Sequence, residues 1–157
     1  MIAILHNIRS AHNVGSMFRT ADAAGISKIY LCGITPAPVD RFGKPRQEIA
    51  KVALGAERTV AWETARSTAL LIKKLKKEGF AIYAIEQHAR SIPYNKMRLT
   101  KKELPHTALV VGNEVNGLSP SLLKRTDTIL EIPMQGKKES LNVAVTFGIV
   151  AFRLLHG

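Results

Sequence analysis

The sequence predicts an α/β fold, a mainly parallel sheet flanked by helices on both faces. Two observations carry this. Short apolar runs alternate along the chain with longer segments of helical period. The chain also has the makings of one core: 157 residues, 46% hydrophobic and 22% charged, with no internal repeat, low-complexity tract or linker. A single domain over 1–157 is therefore expected.

Residues 2–5 form the first predicted strand. The first helix follows over 14–24, with Asn13 as its cap, Val14, Met17, Phe18 and Ala21 on one face, and Gly25 ending it. Residues 28–31 make a second strand, with Cys32 in the same apolar run. This is the only cysteine, so no disulfide framework marks a secreted protein and a buried structural thiol is expected. The stretch 35–47, TPAPVDRFGKPRQ, reads as a proline-rich basic loop. A third strand is predicted at 59–61 and a helix over 62–78, which carries Glu63 near its start and Lys73, Lys74, Lys76 and Lys77 near its end, where they complement the helix dipole. Strands at 80–85, 107–111 and 128–132 complete the sheet, and a second basic loop, ARSIPYNKMRLTKK, lies at 89–102.

The last helix is predicted over 141–155, LNVAVTFGIVAFRLL, with Ser140 as its cap. It is apolar almost all round and must be buried on more than one side, deep in the domain or against a second subunit. With about fifteen residues, and Asn142, Thr146 and Arg153 among them, it is too short and too polar to span a bilayer. The N-terminus lacks the length and charge order of a signal peptide, so a cytoplasmic location and no membrane partner are expected.

A formal net charge of +11, from 23 Lys and Arg against 12 Asp and Glu, favours a polyanionic partner. Solubility is the plainer use for such an excess. The two basic loops also hold Phe42 and Tyr94, aromatics that can stack on a base beside phosphate-seeking cations.

Three stretches combine unusual residues with a chemical use. In NIRSAHNVGSMFRTADAAG, Arg19 points away from the apolar face and has Gly15, Ser16 and Ala23 around it, so a bulky partner can approach it. A surface pair with Asp22 is the simpler reading. In LVVGNEVNGLSP, a strand runs into Gly112 and Gly117 and then into a helix start at Ser119 and Pro120, the place where open α/β sheets bind ligands. Leu118 stands where a phosphate-binding loop needs lysine, which excludes a nucleoside triphosphatase. Glu114 serves either the site or the turn. In IPMQGKKESLNVAV, Asn142 opens an apolar helix and needs hydrogen-bond partners, from a ligand or from a cap. The five histidines and single cysteine have no metal-ligand spacing, so no metal is expected.

Taken together and in this order, the three stretches resemble the three motifs of the SpoU (TrmH-like) branch of the SPOUT RNA methyltransferases. Asn13, Gly15, Arg19 and Thr20 match the first; Gly112, Glu114, Gly117 and Leu118 the second; Ile132, Pro133, Met134, Gly136, Ser140, Leu141, Asn142 and Val143 the third. The resemblance implies a C-terminal deep trefoil knot, a homodimer, and S-adenosylmethionine as cofactor, held by Gly112, Asn113, Glu114, Gly117, Ile132, Met134, Ser140 and Leu141, with the glycines giving it room. It implies methyl transfer to a ribose 2′-hydroxyl of RNA, with Asn13, Arg19, Glu114, Ser140 and Asn142 as catalytic residues. Arg19 is implied to meet the hydroxyl, either as general base or, since a guanidinium stays protonated, as a holder of phosphate and alkoxide charge. Without the extra N-terminal RNA-binding domain of many ribosomal-RNA members, the chain looks more like the tRNA enzymes. Arg41, Lys44, Arg46, Lys96, Arg98 and Lys101 would then form the RNA platform. The rival from another class is a knotted dimeric RNA-binding or assembly protein without catalysis.

Overall fold

The computed structural model describes residues 1–157 and contains one seven-stranded, wholly parallel sheet. The strands are β1 (Ile2–His6), β2 (Lys28–Cys32), β3 (Ala61–Ala65), β4 (Ala81–Ile85), β5 (Ile92–Pro93), β6 (Thr107–Val111) and β7 (Thr128–Glu131). The helices are α1 (Ala11–Ala24), α2 (Gln47–Ala53), α3 (Ala56–Thr59), α4 (Thr68–Lys77), α5 (Pro120–Leu123) and α6 (Val143–His156). The spatial order of the strands is β3-β2-β1-β6-β4-β7-β5. A parallel strand covered on both faces reads as an unbroken apolar run. β6, TALVV, is buried at every position for that reason.

Helices pack on both faces. One core joins Leu5, Leu109 and Val111 to Phe18 of α1, Ile49 of α2 and Phe147, Val150 and Leu154 of α6. The other joins Ile4, Ile82 and Val110 to Leu71, Ile72 and Leu75 of α4 and Leu122 and Leu123 of α5. Phe18 and Phe147 are fully buried, and truncating either to alanine would cost roughly 3–5 kcal/mol. Gly15 is the close-approach point of α1 on α2, since a Cβ there would lie 2.7 Å from the Ile49 carbonyl oxygen. Cys32 is buried, and burial pushes its thiol up to about 11.

Four expectations shift. Helix α1 starts at Ala11 and is capped by Ser10, whose side chain accepts the Asn13 N–H, so Asn13 sits inside the first turn. The third strand lies at Ala61–Ala65 and its helix only at Thr68–Lys77; Trp62 and Glu63 are strand residues, and Glu63 pairs with Lys28 across to β2 at 2.7 Å. β3 is an edge strand with mixed exposure, so AWETA lacks the apolar signature of its neighbours. The chain after 47 forms α2 and α3, two short helices without the length for a periodic pattern. Finally, α6 starts at Val143 with Asn142, and not Ser140, as its cap: the Asn142 side chain accepts the N–H groups of Ala144 and Val145. Gly25, in the left-handed conformation at φ 85°, ends α1, and Ser119 caps α5, as the sequence predicts.

Candidate active site

A cleft of about 260 Å³ opens at the carboxyl ends of β4, β6 and β7, where the sheet's strand order makes its crossovers. The loop after β6 contributes Gly112, Asn113, Glu114 and Gly117. The loop after β7 contributes Ile132, Met134, Ser140, Leu141 and Asn142. The second and third sequence motifs therefore line one cavity.

The first motif joins them through Asn13, which is 8% exposed and holds the centre of a relay. Its Nδ2 donates to Glu114 at 3.1 Å, and its Oδ1 accepts from Asn142 Nδ2 at 3.1 Å. An ionised carboxylate only accepts, so the amide must turn its NH₂ toward Glu114 and its oxygen toward Asn142. Glu114 also accepts the N–H groups of Arg9 and Ser10, both at 3.0 Å. Burial works to raise the Glu114 carboxyl; the N–H groups of Arg9, Ser10 and Glu114 itself, with the Asn13 amide, outweigh it and hold the group below the usual carboxylate range. Glu114 thus stays ionised and ties the loop after β6 to the start of α1.

The loop after β6 closes on itself. A Cβ at Gly112 would lie 2.5 Å from the Gly117 carbonyl carbon and 2.8 Å from the Leu118 nitrogen, and Gly117 takes φ 59°. The space both glycines leave is filled by the loop's own return and by the Glu86 carboxylate, which replaces the expectation that they make room for a cofactor. The Asn113 side chain is equally occupied: it donates to the Asn7 carbonyl at 2.8 Å and accepts from Val115 and Asn116. What faces the cleft from this loop is mainly backbone.

Arg19 lies elsewhere. It is exposed, forms no ion pair with Asp22 or any other residue, and lines a separate depression with Ala11, His12, Glu48, Lys51 and Val52. Asp22 accepts from the Thr59 hydroxyl instead. Ser140 lines the cleft fully exposed, without a hydrogen bond. Of the basic residues, Arg41, Lys44, Lys96, Arg98 and Lys101 are exposed, and none of them, nor Arg46, is ion-paired. The loop holding Arg41 follows β2 and the loop holding Lys96 follows β5, toward opposite edges of the sheet, so one protomer does not unite them. Arg41 stacks over Phe42 at 4.7 Å from the ring centroid.

Glu86, Gln87 and Glu131 also line the cleft, and the motif reading missed them. The signal was present: Glu86 and Gln87 follow an apolar strand end, as the other two loops do. With them the lining includes three acidic residues, Glu86, Glu114 and Glu131, and no Lys, Arg or His, inside a protein of net charge +11; the Glu86 and Glu114 carboxylates are engaged by N–H groups of the flanking loops. It is an acidic, half-apolar pocket in a basic molecule.

The chain matches the model of the SpoU rRNA Methylase family over residues 1–152. It belongs to that family. It is 33% identical over 151 residues to the 23S rRNA (guanosine-2′-O-)-methyltransferase RlmB of Neisseria meningitidis, covering 96% of this chain and 56% of the relative. The AdoMet-bound rRNA methyltransferase from Sinorhizobium meliloti superposes with a TM-score of 0.83 at 30% identity, covering 97% of this chain and 54% of that one. A structure described as giving insights into 2-OH methylation of C/U34 on tRNA superposes with a TM-score of 0.77 at 26% identity, covering 96% of this chain and 90% of that one. The chain thus spans a little over half the length of the ribosomal-RNA relatives. The SpoU fold, a parallel sheet flanked by helices, is the one the sequence predicts. No helix is long and apolar enough to cross a membrane.

Proposed function

We propose that this SpoU-family chain is an S-adenosylmethionine-dependent RNA 2′-O-ribose methyltransferase, acting on tRNA. The observation that carries the reading is the acidic cleft built from motifs two and three together with the ends of β4 and β7. Its carboxylates suit a ligand with cationic centres, and Ile85, Val111, Ile132, Met134 and Leu141 supply the apolar walls an adenine needs. The absence of cations from the lining disfavours a phosphorylated cofactor. When bound, S-adenosylmethionine supplies a methyl group already activated on a cationic sulfur, so the protein's task is alignment. The relay through Asn13 fixes Glu114 and Asn142 relative to each other, and the backbone of 112–114 and the side chains of Ile132, Met134 and Leu141 hold the ligand.

Arg19 enters this scheme from a second copy. Leu141, Val145 and Phe152 are 42%, 51% and 44% exposed and recur at helical spacing along the outer face of α6 and the residues leading into it. A homodimer on this face buries the stripe and carries one copy's Arg19 toward the other copy's cleft. There its guanidinium holds the RNA phosphate and steadies the ribose oxygen, which gives up its proton to solvent as it takes the methyl group. Dimerisation also unites the two basic loops that a protomer keeps apart. The knot belongs to the same reading, supported by the loop 132–142, which shares one cleft with the loop after β6 and is bonded by Gln87 beyond the end of β4. The likeness to the structure concerned with C/U34 methylation of tRNA supports tRNA as the substrate.

Calorimetric titration with S-adenosylmethionine, followed by methylation of unmodified tRNA and rRNA transcripts, tests the proposal. Binding with transfer to tRNA is the expected result. No binding at millimolar cofactor by a folded protein that still binds RNA would leave the non-catalytic RNA-binding reading in its place. Arg19→Lys is expected to lose most turnover, since lysine lacks the planar fork; near-normal turnover would remove the bidentate role.

A further inference from the structure

The two side chains that follow β4 reach opposite walls of the cleft. Glu86 turns to the loop after β6: its Oε2 accepts the Leu118 N–H at 2.8 Å, and its Oε1 accepts the Gln87 N–H at 3.0 Å. Its own N–H is fixed on the Leu130 carbonyl at 3.0 Å, which anchors it to β7. Leu118 is 5% exposed, so its N–H has no ready access to water as a substitute acceptor. Gly117 leaves the space that the carboxylate occupies.

Gln87 turns the other way. Its Nε2 donates to the Glu139 carbonyl at 2.6 Å. Between Pro133 and Leu141 this is the only hydrogen bond the loop makes to the rest of the molecule. The wall carrying Met134, Ser140 and Leu141 therefore hangs between β7 and the Asn142 cap with a single tether at its middle.

We infer that Glu86 and Gln87 are a pair of positioning residues: Glu86 fixes the wall after β6, and Gln87 latches the wall after β7, so together they set the width of the cleft around its ligand. The ligand is the cationic cofactor of the reading above, and the inference rests on that reading for its identity. The Gln87 latch can open for ligand entry, because its donor is an exposed amide that water can replace. Glu86 is not replaceable by an amide. A carboxylate offers two acceptor oxygens to two N–H groups, whereas glutamine sets an NH₂ against one of them.

Gln87→Glu tests the latch, because it keeps length and shape, removes the donor, and adds a negative charge that by itself favours a cationic ligand. The expected result is about tenfold weaker S-adenosylmethionine binding through faster dissociation, with the melting temperature nearly unchanged. Gln87→Lys, which restores a donor, should recover the tether. A readout without ligand is tryptic cleavage after Lys137 and Lys138, which immediately precede the tethered Glu139. Cleavage should run several-fold faster in Gln87→Glu and return to the wild-type rate in Gln87→Lys. For Glu86→Gln, the Leu118 amide should exchange about tenfold faster than in wild type. If wild type binds the cofactor and Gln87→Glu binds it equally well or better, the latch is wrong. If wild type does not bind, the cofactor reading falls and the latch is judged on the ligand-free protein, where unchanged cleavage and exchange rates would overturn it.

Discussion

Asn13→Asp is the sharpest probe of the relay that joins the three motifs. The change is isosteric, but it replaces the NH₂ that faces Glu114 at 3.1 Å with an acceptor. Asn13→Ala is its control, because it deletes both relay bonds without adding charge. Each bond contributes roughly 0.5–1.5 kcal/mol net, so the alanine variant should lose about 2 kcal/mol. Two unit charges some 4 Å apart repel by roughly 4 kcal/mol at an effective dielectric constant of about 20. Glu114 is exposed, which screens the repulsion to about half, and aspartate loses the bond to Glu114 while still accepting from Asn142, so Asn13→Asp should cost about 3 kcal/mol at neutral pH.

The sign of its pH dependence follows. Two carboxylates at hydrogen-bond distance must share a proton, which raises one folded-state pKa above the ordinary value near 4. The charge penalty is full above that raised value and vanishes as pH falls through it. The aspartate variant should therefore approach the alanine variant by about pH 4.5. Wild type runs oppositely: Glu114, held low, contributes stability that is present above its ordinary range and is lost as pH falls through its lowered value. Urea denaturation of the three proteins at pH 7.5 and 4.5 measures this. Equal losses for aspartate and alanine at both pH values would refute the relay.

Three other outcomes are expected. Gly117→Ala should destabilise by about 1–2 kcal/mol from its φ of 59° alone and more from the collision with Glu86, lowering both urea midpoint and cofactor affinity. Val145→Glu, on the exposed stripe of α6, should shift the species seen by light scattering from dimer to monomer while the circular dichroism stays native; a dimer that persists would move the interface elsewhere. Reversing charge at Arg41 and Arg46 should weaken RNA binding and flatten its dependence on salt by about 1–2 units of slope, read from filter binding between 50 and 200 mM salt; an unchanged slope would remove this loop from the footprint.

The central strands were legible because burial on both faces writes an apolar run, as in TALVV of β6. The edge was not. AWETA of β3 is half exposed and α2 and α3 are helices of seven and four residues, so neither carries a pattern long enough to read. The cleft walls were legible from glycine and polar residues at two strand ends, but Glu86 and Gln87 carry no glycine signature and went unnoticed. Asn13 is legible by its type, but its role as a cap does not hold. An asparagine before an apolar run looks like a cap, and only the third dimension shows that Ser10 already fills that position. Arg19 is legible by its small neighbours, yet which cavity it faces depends on how α1 packs on α2, which periodicity along α1 does not spell out.

The relay also sets a timetable for the molecule's making. Asn13 is 101 residues from Glu114 and 129 from Asn142 along the chain. While a ribosome is still extending the protein, α1 can form, and so can the first two strands, but nothing yet exists for the Asn13 amide to grasp. The circuit closes only when the segment preceding α6 has emerged as well. A chain interrupted before Asn142 therefore has no half-formed pocket: one wall of the cleft is missing until three distant parts of the sequence have all been made.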